Sequence, residues 1–252
     1  MTKSMSRSVL MCAAVLAVAN VASAQVSSIN SVVMHPRFYN DVPTAGLVSV
    51  NSYPSLISFA ETNVSQPTGF ANMDLWRFSN DGTTDYNFQN NDYFVASMDV
   101  NLTALANSPR KEAGFRLTTS LGGEGLFLVN TDAHEVVAVS GPFPFYAFPA
   151  TFDSGETITL GLRYFMDTNT GLRSIVYSAD GVDSPILPFT NVEQGIEIGT
   201  TQLGGYLQVE NAPNDPTNSA TAVFSNISIS VPEPASMGLA AIGALAMIRR
   251  RR

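Results

Sequence analysis

The chain has 252 residues, of which 45% are hydrophobic and 13% are charged. This composition is typical of a globular protein that is large enough to bury one sizeable core. The formal net charge is −8, and a negative surface repels phosphate backbones. We therefore expect no nucleic-acid partner.

The N-terminus has the three parts of a secretory signal peptide, here assigned to residues 1–24. Lys3 and Arg7 form a basic start, and an apolar run follows over residues 9–18. Small residues then lead to a predicted cleavage site between Ala24 and Gln25. The apolar run is shorter than the roughly 20 residues of a membrane span. This favours export by the Sec machinery over a permanent N-terminal anchor.

The predicted exported body, residues 25–230, is strongly acidic and has no cysteine. The one cysteine of the chain, Cys12, lies in the leader, so the body can form no disulfide. The two ends hold six of the 13 basic residues and one of the 21 acids. The body therefore has seven basic and 20 acidic residues, a net charge of −13. Such a charge favours solubility and can attract divalent cations.

The last segment, residues 231–252, begins with a Pro-Glu-Pro triplet and ends with four arginines. The triplet is Pro232, Glu233 and Pro234, and the cluster is Arg249, Arg250, Arg251 and Arg252. Between them we predict a hydrophobic helix of about 18 Å, shorter than the ~30 Å hydrocarbon core of a bilayer. Arginines favour the cytoplasmic side. The tail thus predicts transient retention at the inner membrane.

This order of parts resembles the PEP-CTERM sorting signal of Gram-negative bacteria. The resemblance implies recognition by the membrane enzyme exosortase and removal of the tail. It also implies delivery of the body to the outer surface or the extracellular space, in association with exopolysaccharide or a biofilm matrix. A permanent C-terminal tether is the alternative.

Period-two alternation of apolar and polar residues predicts half-buried strands in the body. The clearest examples are residues 92–103 and 157–166. A turn at 167–171 predicts a hairpin with 172–178. The proline-rich stretch 141–149 predicts a surface loop, because proline removes ladder donors.

About ten short strands joined by such turns predict an all-β fold. We expect a two-sheet antiparallel β-sandwich of jelly-roll type, forming one domain over residues 25–230. The order of elements over residues 90–230 resembles concanavalin A-like and laminin G-like sandwiches. Residues 25–90 are less regular, and we expect edge strands or a wrapping segment there.

Familiar catalytic motifs are absent from the sequence of the body. It has no G-x-S-x-G elbow and no H-E-x-x-H zinc motif. His35 is interpreted as a loop residue and His134 as an exposed strand residue. Glu193 and Glu197 are interpreted as solvated strand residues, without the aromatic flanks of a glycosidase. We therefore expect a non-catalytic structural or adhesive protein of the cell surface or matrix.

The segment 80–92 is dense in the oxygen ligands that calcium prefers. Asp81, Asp85 and Asn87 are the candidate ligands, although the spacing is not that of an EF-hand. An ordinary polar turn is the alternative, and we expect no other cofactor.

Aromatic residues mark the candidate carbohydrate contacts. Trp76 is the only tryptophan, and Phe143, Phe145 and Tyr146 lie in the proline-rich stretch. For Trp76 the alternative is a core anchor. These residues support a second hypothesis, a lectin-like carbohydrate-binding module, and a divergent glycoside hydrolase is the third.

Overall fold

The computed structural model describes residues 29–90, 92–120, 123–141, 143–189 and 200–231. These ranges contain fifteen β-strands and no helix. The strands pair antiparallel in two sheets, so the predicted all-β sandwich is confirmed. The predicted signal peptide and C-terminal hydrophobic helix lie outside these ranges.

The strands are numbered in chain order. In spatial order, the seven-stranded sheet consists of β1 (Ser31–Asn40), β4 (Ala71–Ser79), β14 (Thr201–Glu210), β6 (Lys111–Thr119), β7 (Glu124–Asn130), β8 (Glu135–Val139) and β9 (Tyr146–Thr151). The eight-stranded sheet consists of β12 (Val182–Asp183), β11 (Leu172–Ala179), β10 (Thr157–Asp167), β5 (Phe94–Ala104), β15 (Ala220–Ser230), β3 (Leu56–Thr62) and β2 (Gly46–Ser52), with β13 (Leu187–Pro188) paired to β11.

The strongest alternating segments form the strands that they predict. In β5, Phe94, Met98 and Val100 are at most 1% exposed and face the other sheet. β10 and β11 form the predicted hairpin, closed by the pair Asp167–Leu172. Part of the proline-rich stretch, expected as a loop, forms the edge strand β9. An edge position tolerates Pro149, because one side of the strand has no ladder partner.

Residues 25–90, expected to add edge strands or a wrapping segment, also contribute inner strands. β1 and β2 are edge strands, but β3 and β4 lie inside their sheets. In the part of the chain that the structure describes, no helix is long and apolar enough to cross a membrane.

Trp76 of β4 lies at the centre of the core between the sheets. Its ring makes edge contacts with Phe78 at 5.2 Å and Phe224 at 6.0 Å between centroids. Gly205 of β14 pairs with Trp76, and a Cβ there would lie 2.6 Å from Trp76 Nε1. Glycine therefore makes the space that the indole ring fills. Truncation of such a core ring costs about 3–5 kcal/mol of stability.

A bulge interrupts the pairing of β1 with β4. His35 pairs with Leu75 and Tyr39 pairs with Met73, so three residues of β1, numbers 36–38, stand opposite Asp74 alone. The middle residue, Arg37, has a φ of 57°, in the left-handed region. Bulges of this kind redirect side chains.

Arg37 meets two buried carboxyl groups inside the sandwich. Its Nε lies 3.1 Å from Glu61 Oε1, and its backbone N–H donates to Asp74 Oδ1 at 2.8 Å. Both acidic residues are at most 1% exposed. Burial, and then the neighbouring Asp74, raise the pKa of Glu61 to about 8. At neutral pH Glu61 is therefore largely protonated.

We predict that this pair lowers stability as pH rises. The pKa of Glu61 is higher in the folded than in the unfolded protein. Its stabilising effect is therefore complete below about pH 4.5 and is lost up to about pH 8. The slope is about 1.4 kcal/mol per pH unit at most. Glu61→Gln should flatten this part of the curve and raise stability at alkaline pH, as measured by urea unfolding.

The matched control is Glu135→Gln, at an exposed glutamate. It should leave the pH dependence of the wild type unchanged. Parallel curves for wild type and both variants would show that Glu61 does not carry the proton.

Candidate functional site

The outer face of the seven-stranded sheet carries two arginines in one row across the strands. Arg77 of β4 and Arg116 of β6 both pair with Gly204 of β14, which lies between them. Their backbones are therefore two strand spacings apart, about 10 Å. Gly204 adds no side chain to the space between them. We call Arg77 and Arg116 the arginine pair, and this surface the arginine face.

Arg77 belongs to a chain of polar contacts at the β1 side of this face. Its Nη1 donates to Asp85 Oδ2 at 2.8 Å, and its Nη2 donates to Thr118 Oγ1 at 3.3 Å. The other oxygen of Asp85 lies 2.7 Å from His35 Nε2. One carboxylate thus holds both the imidazole and the guanidinium. The side chains of Arg77 and Asp85 are each 12% exposed, and that of His35 is 30% exposed.

Arg116 has an unused donor. Its Nε donates to Glu124 Oε2 at 2.6 Å, and its Nη2 pairs with the same oxygen. Its Nη1 is buried and has no hydrogen-bond partner. A buried charged donor without an acceptor is costly. An anionic or carbonyl oxygen would be stabilised there once the side chains that cover this nitrogen shift to admit it.

Phe38 lies over both guanidinium groups. Its ring centroid is 4.7 Å from Arg116 Cζ and 5.5 Å from Arg77 Cζ. Both distances are within the range of cation–π attraction. The residue is 48% exposed, so the arginine face combines cations with an exposed aromatic ring.

Tyr206 lies in the next row of the arginine face and is fully buried. Its hydroxyl donates to Glu112 Oε1 at 3.0 Å, and Arg110 Nε donates to Glu112 Oε2 at 2.6 Å. Burial raises the pKa of Tyr206 well above 10. The phenol therefore stays protonated and is unsuited to act as a base.

The outer face of the other sheet is polar, but its groups bond to one another. Asp99 accepts from Thr159 and from Asn226, each at 2.6 Å. Ser97 and Ser228 lie 2.7 Å apart, oxygen to oxygen. Donors that are already paired have less to gain from a ligand than Arg116 Nη1.

The three candidate calcium ligands do not converge. Asp81 Oδ1 accepts from the backbone of Thr83 and Thr84, and these bonds hold the pKa of Asp81 well below its usual range. Asp85 is engaged by His35 and Arg77, as described above. Asn87 Oδ1 accepts from Gln202 at 3.2 Å. Among the described residues, no three His, Cys, Asp or Glu side chains form a metal-binding group.

The candidate carbohydrate contacts are distributed between core and surface. Trp76 has no exposed area and Phe143 is 2% exposed, so neither can stack on a sugar from outside. Trp76 lies at an inward position of β4, and Phe143 packs against Tyr177 in the core. Tyr146 is half-buried against Phe148. Only Phe145, at 68% exposure, is open to solvent among the four.

The histidines differ from their sequence interpretation. His35 lies in β1 and faces the arginine pair, because the strand continues through Pro36. His134 lies before β8, with its Nδ1 2.9 Å from Asp153 Oδ1. Glu193 and Glu197, the predicted processing residues and the arginine cluster lie outside the described residues.

The sequence analysis missed the arginine pair and Phe38. Arg77 and Arg116 lie on strands that are far apart in the chain, and a third strand joins them. One local signal was present. In a strand, the residue next to an inward-facing aromatic faces outward, so Trp76 in the core indicates that Arg77 lies on the surface of the sheet.

Residues 230–252 match the PEP-CTERM protein-sorting motif. The chain carries a PEP-CTERM sorting signal. This motif indicates an exported protein that is sorted to the cell surface with processing by exosortase. No curated protein sequence matches the chain.

Several solved structures share the sandwich fold at low identity. An alginate lyase of polysaccharide lyase family 7 has a TM-score of 0.49 and 10% identity, over 71% of this chain and 80% of its own. A polysaccharide lyase of family 18 has 0.46 and 12%, over 80% and 94%. An endo-1,3-β-glucanase from Streptomyces sioyaensis has 0.44 and 12%, over 75% and 90%.

These matches correct the expectation of a non-catalytic structural or adhesive protein. The prediction that the protein is not an enzyme is withdrawn together with that expectation, since the similar structures named above are two polysaccharide lyases and a glucanase. The expectation rested on the absence of known catalytic motifs. A site on the surface of a sheet is formed by residues of separate strands and needs no local motif. The likeness concerns the fold alone.

Proposed function

We propose that this protein is an exported carbohydrate-active protein that binds an acidic polysaccharide on its arginine face. The observation that carries the proposal is Arg116 Nη1, a buried cationic donor without a partner. A carboxylate of a uronic acid is the acceptor that such a donor favours, because charge-assisted bonds are the strong ones. A protein outside the cell is exposed to exported polysaccharides, which are therefore the available ligands of this kind.

The groups around the arginine pair suit a sugar ring. Phe38 offers an apolar ring face, and Thr118 and Gln202 lie on the row beside it, where they pair across β6 and β14. Sugar-binding surfaces combine an aromatic face with a few placed polar groups. Since the body is strongly acidic, an acidic polymer is repelled at long range. Binding therefore depends on short-range contact with the arginine pair.

The sorting signal supports a site of action outside the inner membrane. Under this proposal the tail holds the protein at that membrane until exosortase removes it. The body then acts at the cell surface or in the extracellular matrix, with exopolysaccharide as its partner. The cleavage site after Ala24 and the domain limits at residues 25 and 230 are parts of the proposal.

A hydrolytic mechanism fits the arginine face less well than binding. Glycosidases need one carboxylic acid that holds a proton and one carboxylate. Asp85 and Glu124 are each engaged by an arginine. Neither carboxyl group is therefore free to contact a leaving group.

His35 favours β-elimination as a second candidate function. Its Nε2 lies 2.7 Å from Asp85 Oδ1, and the tautomer that donates to this carboxylate has its lone pair on Nδ1. Nδ1 would take the proton from the carbon next to the uronate carboxylate, whose charge the arginine pair offsets. The electron pair forms the carbon–carbon double bond as the bond to the glycosidic oxygen breaks, and the imidazolium then gives its proton to the leaving oxygen, directly or through a water molecule.

The binding proposal predicts a specific effect of Arg116→Met. Loss of the charge-assisted bond should weaken binding of a soluble oligouronate by about 10- to 100-fold, as measured by isothermal titration calorimetry. A neutral β-glucan oligomer should bind weakly to both proteins. The variant should fold, because the released Glu124 side chain is 39% exposed and can be hydrated.

The matched control is Arg163→Met. Arg163 also lies over an aromatic ring, 5.2 Å from the centroid of Phe165. It is on the eight-stranded sheet and its side chain is 52% exposed. This variant should keep the wild-type affinity. Equal losses for both variants, or none, would contradict the proposal.

The elimination hypothesis predicts an ultraviolet-absorbing unsaturated uronate product from a polyuronate substrate. His35→Gln should abolish product formation and change the dissociation constant less than about threefold, since it keeps a hydrogen-bonding side chain. A wild type that binds the polymer but forms no such product would sink the elimination hypothesis and leave the binding proposal standing.

A further inference from the structure

The bulge in β1 sends two neighbouring side chains in opposite directions. Arg37 enters the sandwich and contacts Glu61, whereas Phe38 lies on the arginine face over Arg77 and Arg116. Neighbouring residues of any strand face opposite sides, and the bulge decides which of them faces each side. The backbone of residues 36–38 therefore joins a contact in the interior to the candidate site.

Besides its contact with Glu61, the guanidinium of Arg37 makes three hydrogen bonds. Its Nη1 donates to Asn40 Oδ1 at 3.1 Å and to Val42 O at 3.2 Å, and its Nη2 donates to Ala45 O at 2.8 Å. Its own backbone N–H is bonded to Asp74. With Nε beside Glu61, the guanidinium ties β1, β3 and the following turn to one point, and the backbone N–H adds β4.

The left-handed backbone of Arg37 needs such support. A non-glycine residue at φ 57° is strained. Here the strain is at the residue next to the aromatic ring of the site. Strained bulges near binding sites serve to aim a side chain.

We propose that Arg37 is the positioning residue of the arginine face: anchored to Glu61 and Asp74, it fixes the Phe38 ring as the platform for one sugar unit whose carboxylate reaches Arg116. This inference rests on the proposed binding function and specifies its ligand. The sugar must present an apolar ring face next to a carboxylate, as a pyranuronate does. Phe38 selects the ring, and the arginine pair selects the charge.

A double-mutant cycle tests whether Arg37 acts through Phe38. Arg37→Lys keeps the charge but loses the planar fork that makes these contacts. Alone, Arg37→Lys and Phe38→Ala should each weaken oligouronate binding roughly five- to tenfold, and the double variant should be no weaker than Phe38→Ala. Additive losses would overturn the inference.

A second readout does not depend on a ligand. Amide hydrogen exchange at Phe38 and Tyr39 should become at least tenfold faster in Arg37→Lys, while exchange in β5 stays unchanged. If the wild type binds no oligouronate, the binding proposal fails, and this exchange measurement still decides whether Arg37 fixes the bulge. Unchanged exchange at both amides would overturn it.

Should Arg37→Lys fail to fold, the triple variant Arg37→Met, Glu61→Gln, Asp74→Asn removes the buried charges together. Such replacements are often neutral or stabilising. This variant should bind as weakly as Phe38→Ala. Wild-type affinity in a folded triple variant would overturn the inference.

Discussion

The alternation of side chains along β4, β14 and β6 is the constraint on which the site depends. Trp76 faces the opposite sheet and Arg77 faces outward, because neighbouring residues of a strand point to opposite faces. On β14 the two glycines follow the same rule. Gly205 makes room for the indole ring inside, and Gly204 separates the arginines outside. A shift of one residue would exchange these faces and destroy both the core and the site.

The second constraint is the bulge in β1, which couples the interior to the surface. In regular pairing a single residue of β1 would stand opposite Asp74. Residues 36–38 stand there together, and Phe38 therefore lies on the arginine face beside His35. The arrangement requires a buried cation between two carboxyl groups, which is costly in a protein with no disulfide to help hold its ends. Such a cost is typical of a feature that serves a function and not the stability of the fold.

The central part of the fold could be predicted from the sequence, and the N-terminal part could not. β5 and β10 alternate strictly because one face of each is solvated. β4 is buried at eight of its nine positions, since Met73 and Leu75 add a second apolar cluster on its outer face. A strand that is apolar on both faces shows no period of two, and so its place inside a sheet was not apparent.

The sequence predicted a class of ligand, carbohydrate, but not the residues of the candidate site. Aromatic and polar residues in an exported β-sandwich indicated carbohydrate, but the residues chosen were those with the most conspicuous local context. Trp76 stands out by its size, and size is the reason that it is buried. Arg77 and Arg116 are ordinary in the sequence and meet only through Gly204. Contacts made by strand pairing have no local motif, so the sequence alone could not join them.

The most direct test of the account is to map oligouronate binding by NMR chemical-shift perturbation on the full exported body. The account predicts that the largest shifts fall at Phe38, Arg77, Arg116 and Gly204, on the outer face of the seven-stranded sheet. Shifts centred on Asp99 and Asn226 of the opposite sheet, or on Phe145, would place the ligand elsewhere and contradict it.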